Sequence, residues 1–274
     1  MTGLSLSVSQ VTAARRLSPW QPDLANPQAR LWLLEKLVAA WLLVVLMFDP
    51  SLTRLSELLL LHTPSWSSGS AVAVEVLRAA CALAAACLLA GVARAVAGWG
   101  LALGFLAISW LSSSMGGAVW NYNMHLFWFL LMCRVGPAAP AAALTLMQVS
   151  VALFYLQSGL TKLLASGPHW FLSGDTLVHY GPYLGTAFGQ LLSEHPAWCA
   201  TVTMATGVVE FTLPVALLLR STQRWAVPVA WSFHLGVALV FGIGYWQLTL
   251  LYPALFYQSP ALTLRRWIRA RNAV

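Results

Sequence analysis

Long apolar runs recur along this chain, and they restrict its fold more than any other feature. Leu31 to Phe48, Ala71 to Val92, Val96 to Met115, Ala118 to Cys133, Ala139 to Leu164, Ala197 to Leu219 and Trp225 to Ile243 reach or approach the ~20 residues that a helix needs to cross a hydrocarbon core. An eighth run, Leu248 to Leu264, is interrupted by Pro253 and Pro260. Only 8% of the residues are charged and 59% are hydrophobic, too few charges to clothe a water-soluble fold. The predicted class is all-α: a polytopic membrane helical bundle of about eight transmembrane helices, with a long extracytoplasmic loop after the fifth.

Charge placement orients the bundle. With the N-terminus inside, the inner loops carry Arg94, Arg134, Arg220 and Arg224, and the tail carries Arg265, Arg266, Arg269 and Arg271. The outer loops carry Arg54, with Lys162 near an outer helix end. Basic residues collect on the cytoplasmic side, so the expectation is an inner (cell) membrane protein with both termini cytoplasmic. The net charge of +7 then reports topology, and no nucleic acid is expected as a partner. Residues 1–30 read as a cytoplasmic or interfacial arm, 31–264 as the transmembrane domain and 265–274 as a basic tail. No cleavage site follows the first apolar run, so no signal peptide is expected. Cys81, Cys87, Cys133 and Cys199 lack metal-binding spacing, and neither a metal nor a disulfide is expected.

Polar residues inside the spans point to a site. Gln148, Tyr155, Ser158 and Lys162 fall on one narrow face of the fifth span. An ionisable residue on such a stripe is a functional-site candidate, although a lysine near a helix end also snorkels to the headgroups. Asn121 and His125 share a face of the fourth span, and Asn123 points elsewhere. Thr203, Thr206 and Glu210 share a face of the sixth, where Pro214 removes the donor for the Glu210 carbonyl. His234 lies midway along the seventh. Glu35 with Lys36, and Glu75 with Arg78 at i and i+3, read as structural pairing near helix ends. Together the stripes predict one outward-opening polar cavity lined by spans four to seven. A lysine held among Leu, Phe and Trp is a candidate base, and neighbouring Asn or His side chains can donate to a developing oxyanion. This chemistry suits deprotonation of a lipid-soluble phenol or quinol.

The stretch YLQSGLTKLLASGPHW followed by FLSGDT resembles the Gly-x-x-Lys-Leu…Trp…Gly segment of the vitamin K-dependent gamma-carboxylase family, whose membrane part is the horizontally transferred transmembrane (HTTM) domain. GVVEFTLPVALLLR and WSFHLGVALVFGIGYW resemble that domain's later helices, and VWNYNMHLFWFLL resembles its Trp-Asn-Asn-His helix. The resemblance implies that Lys162 is the base acting on a quinol such as vitamin K hydroquinone, assisted by Asn123, Asn121 or His125, with His234 nearby. Tyr155, Ser158, Trp170 and Glu210 are then expected at the substrate. An ungapped match puts the family's Asn on Asn123 and its His on Met124, whereas helical phase pairs Asn121 with His125. No counterpart of the carboxylases' large soluble domain is expected. The activity expected, if there is one, is that of a carboxylase-like lyase or a quinol-dependent oxidoreductase. Its partners are the lipid bilayer and a secreted peptide or a soluble redox protein. The alternative is a non-enzymatic membrane factor for maturation, export or immunity of a secreted peptide, using the same cavity for binding.

Overall fold

The computed structural model describes residues 26–48, 68–114 and 124–256. Among these residues the regular elements are all helical. In chain order they are α1 (Pro27–Phe48), α2 (Ser68–Ala90), α3 (Arg94–Ser114), α4 (Met124–Val135), a 3-10 turn (Gly136–Ala138) and α5 (Pro140–Ser166). There follow α6 (His169–Ser173), α7 (Asp175–Leu184), α8 (Ala187–Ser193), α9 (Pro196–Leu218), α10 (Gln223–Phe241), α11 (Trp246–Thr249) and α12 (Tyr252–Leu255). Six of these, α1, α2, α3, α5, α9 and α10, are long and apolar enough to cross a membrane.

Local chemistry sets several ends. Pro27, Pro140 and Pro196 open α1, α5 and α9, where a missing N–H costs nothing and a fixed φ favours the helix. Gly167 and Gly242 close α5 and α10 with φ of 71° and 69°, a region in which a side chain would be strained.

α1 supplies much of the core. Its buried residues Leu31, Leu34, Val38, Leu42 and Leu46 recur every three or four positions, so one face turns inward. That face packs against α2, α4 and α5, and α3 closes on α2 and α4. Phe105 and Ile108 of α3, Phe129 of α4, Met147 and Val151 of α5, and Leu213 and Leu217 of α9 fill the centre. Outward faces carry Val76, Leu83, Leu103 and Trp110, the composition that lipid contact requires.

α5 and α9 pack along each other, with α10 beside α9. The long segment between α5 and α9, read from the sequence as a loop, is structured as α6, α7 and α8, which pack on α9 and α10. Of the fourth expected span, Met124 onward is described, as the 12-residue α4. Of the eighth, residues 248–256 are described, and they form two single turns, α11 and α12, rather than one continuous helix. Pro253 lies in the second turn, where its ring forbids a through-running helix. Residues 1–25 of the N-terminal arm, the basic tail and the segment 49–67 fall outside the described residues, and the end of the expected arm, from Pro27, is already the first turn of α1.

Candidate functional site

The polar stripe of α5 becomes a seam, and all four of its residues are hydrogen-bonded to other helices. Gln148 donates through Nε2 to the Leu255 carbonyl at 2.7 Å. The Tyr155 hydroxyl lies 2.6 Å from His234 Nε2 and 2.5 Å from the Tyr252 hydroxyl. Ser158 donates to Glu210 Oε1 at 2.9 Å. Lys162 donates to Ser158 Oγ at 3.0 Å and to Glu210 Oε1. One helical face therefore ties α5 to α9, α10 and α12.

Lys162 and Glu210 form the ionic end of the seam. The Glu210 side chain is 2% exposed and that of Lys162 is 31% exposed. The Trp170 ring lies 4.9 Å from the ammonium, in cation–π range. Glu210 Oε2 is buried with no hydrogen-bond partner among the described residues. Gly159 makes the approach possible. A Cβ there would lie 3.2 Å from both the Glu210 Cβ and the Phe211 ring, so glycine gives α9 its close approach to α5 at this level. Pro214 sits inside a continuous α9 and leaves the Glu210 carbonyl without its helical donor.

Beneath this pair lies a second polar group. Tyr155, His234 and Tyr252 are each at most 2% exposed. His234 Nε2 is also 3.3 Å from the Tyr252 hydroxyl, and its Nδ1 is buried without a partner among the described residues. The ring of Tyr245 stands 5.1 Å from His234 and 6.1 Å from Phe154.

The expected site residues thus fall in different places. Lys162, Ser158, Trp170 and Glu210 come together. Tyr155 and His234 come together about two turns of α5 away from Lys162. Glu210, expected at the substrate, is the ion-pair partner of the lysine. His125 is half-buried with its ring 4.9 Å from Phe154, edge to face. The polar contacts described for Lys162 come from α5 and α9, and none of them from α4. Asn121 and Asn123 lie outside the described residues, so the choice between the two fourth-span registers stands as it was. Thr203 is buried and bonds back to the Cys199 carbonyl of its own helix.

Sequence reasoning did not single out Tyr252 or Tyr245. Both lie in or beside the proline-broken last run, where no helical period marks an inward face. A second ionic cluster was equally hidden. Glu35 of α1, 1% exposed, pairs with Arg94 of α3 at 2.6 Å and with Arg134 of α4. In the sequence those arginines read only as loop charges. Glu75 and Arg78 pair within α2 at 2.6 Å, as their spacing implied.

Residues 132–261 match the family model described as the HTTM domain. The match contains Lys162, Glu210, His234 and Tyr252, and it begins after Asn121, Asn123 and His125. Comparison with curated proteins and with solved structures gave no match. With the six apolar helices, the HTTM match describes an integral, multi-pass membrane protein suited to a lipid bilayer.

Proposed function

We propose that this protein uses the Lys162–Glu210 pair to remove a proton from a lipid-soluble substrate, in quinone-linked chemistry related to that of the vitamin K-dependent gamma-carboxylases. One observation carries this reading: a lysine and a buried carboxylate share a hydrogen bond inside an apolar helix pair, and the second carboxylate oxygen is unpartnered.

The pair offers a base without requiring an isolated neutral lysine. Passing one proton from the Lys162 ammonium to Glu210 leaves a neutral amine and a carboxylic acid. No net charge changes in this transfer. Ser158, bonded to both groups, holds the amine in line.

The residues present fit a flat phenolic molecule. Trp170 supplies an aromatic face beside Lys162, and Glu210 Oε2 is an acceptor for a hydroxyl. A quinol bound there supplies the acidic O–H and the redox chemistry. The protein's own residues accept the proton and orient the ring.

The non-enzymatic reading, a membrane factor for a secreted peptide, uses the same groups for binding alone. The two readings separate in one comparison: quinol oxidation in membranes containing the wild type, Lys162→Arg or Lys162→Ala at equal expression. The proposal expects both variants to be inactive and an added primary amine to restore part of the alanine variant's rate. Full activity with arginine, which does not deprotonate under working conditions, would falsify the base mechanism.

A further inference from the structure

The depth of Lys162 in the bilayer decides what can reach it, and α5 and α9 measure that depth differently. On α5 the lysine has about 6 Å of helix left before Ser166. On α9 the contacting Glu210 lies about 21 Å from the start at Pro196 and about 12 Å from the end at Leu218. α5 therefore places the pair at a membrane surface, and α9 places it well inside.

The surface of α9 favours the second answer. Its stretch Pro196–Val209 contains no charged residue. The outward face of that stretch shows Trp198, Met204 and Val208, exposed by 63%, 50% and 58%. A face of this kind belongs in hydrocarbon.

The segment α6–α8 lies along the same stretch. The Phe171 ring rests on Gly207, and Gly174 sits against the backbone of Cys199 and Ala200. Its own outer surface is apolar and aromatic, with Leu172, Tyr180, Tyr183, Phe188 and Leu191 all exposed. Its ionisable groups gather near the start of α9. Glu194 and His195 directly precede Pro196, and the His169–Asp175 pair, with His179 one turn on, flanks Gly174.

Backbone polar groups are also provided for. The carbonyls ending α10 are met by Thr186, whose N–H donates to Val240 at 2.9 Å and whose hydroxyl donates to Leu239. Thr186 Oγ1 accepts from the Gly189 N–H at 3.2 Å, and Gly185 bonds to Gly181 at 2.9 Å. Such internal satisfaction is what irregular backbone needs in lipid, and water would make it unnecessary.

We infer that α6–α8 form a re-entrant cap immersed among the phospholipid acyl chains of one leaflet, so that the Lys162–Glu210 pair lies near the bilayer midplane. The occupant of the exposed aromatic face is acyl chain, and the ionisable rim sits at headgroup level. This placement holds whether or not Lys162 acts as a base.

The test places a photoactivated diazirine residue at Tyr183, Phe188 or Leu191 of the full chain in phosphatidylcholine–phosphatidylglycerol liposomes. Val208 serves as the lipid reference and Ser221 as the solvent reference. Mass spectrometry should find phospholipid adducts at the three cap positions, at yields within about threefold of Val208, because both surfaces face hydrocarbon. Water addition at the cap, matching Ser221, would overturn the inference and return Lys162 to the interface. Hydroxyl-radical footprinting of the unsubstituted protein in the same liposomes guards against a misfolded variant. Tyr180 and Tyr183 should escape oxidation, and oxidation as rapid as in detergent-free denaturant would count equally against the cap.

Discussion

Two buried carboxylates organise opposite parts of this bundle, and they are built differently. Glu35 is held by two arginines from two other helices, so α1, α3 and α4 meet at one point. The Arg134 side chain is only 7% exposed, and it also donates to the Arg94 carbonyl at 2.9 Å. Gly98 leaves the space in which that guanidinium lies. Arginine keeps its proton under all working conditions, so this cluster has one protonation state. Glu210 instead meets one lysine and one serine, and it keeps an oxygen unpartnered. Lysine can release a proton, and its side chain is partly open. Two arginines that keep their charge lock three helices together, whereas a cluster whose cation is a lysine can change state.

The strongest way to break this comparison is to make the second cluster resemble the first. Lys162→Arg should keep the protein folded and lower its activity by about 10²–10⁴, the usual weight of a positioned base. Rates measured at equal expression decide it. An active arginine variant would make the two clusters equivalent.

Removing the carboxylates should separate them in stability. Glu35→Gln leaves two arginines uncompensated, one of them buried, and should cost about 3–5 kcal/mol. Glu210→Gln strands a single lysine that keeps its bond to Ser158, so it should cost less while removing activity. Unfolding of purified protein in mixed micelles compares the two, and equal losses would contradict the distinction.

Tyr155→Phe tests the group beneath the pair. It deprives His234 and Tyr252 of a buried partner and should cost about 1–3 kcal/mol. The same unfolding assay reads it, and a stabilised variant would show that the hydroxyl is not needed there. The smallest effect is expected at Glu75→Gln. This i,i+3 pair is partly exposed, and such pairs are worth about 0.3–0.5 kcal/mol. A loss as large as that of Glu35→Gln would mean that ionic pairing in this bundle does not scale with burial.

The amino-acid sequence by itself determined the membrane class, the six long helices and the face of α5 on which Gln148, Tyr155, Ser158 and Lys162 stand. These properties follow from composition and helical phase, which are local. Tertiary structure decided which helix each polar residue meets. Lys162 faces Glu210 of α9, not the polar residues described on α4, because Gly159 lets α9 come close at that level. Arg94 and Arg134 turn inward to Glu35 although their positions read as loop charges. The break between α11 and α12 and the burial of Tyr252 had no periodic signature, since a proline-interrupted run has no single face. The hydrophobic effect drives segments into lipid without choosing their neighbours; close packing at small residues and a few buried hydrogen bonds make that choice, and both join residues far apart in the chain.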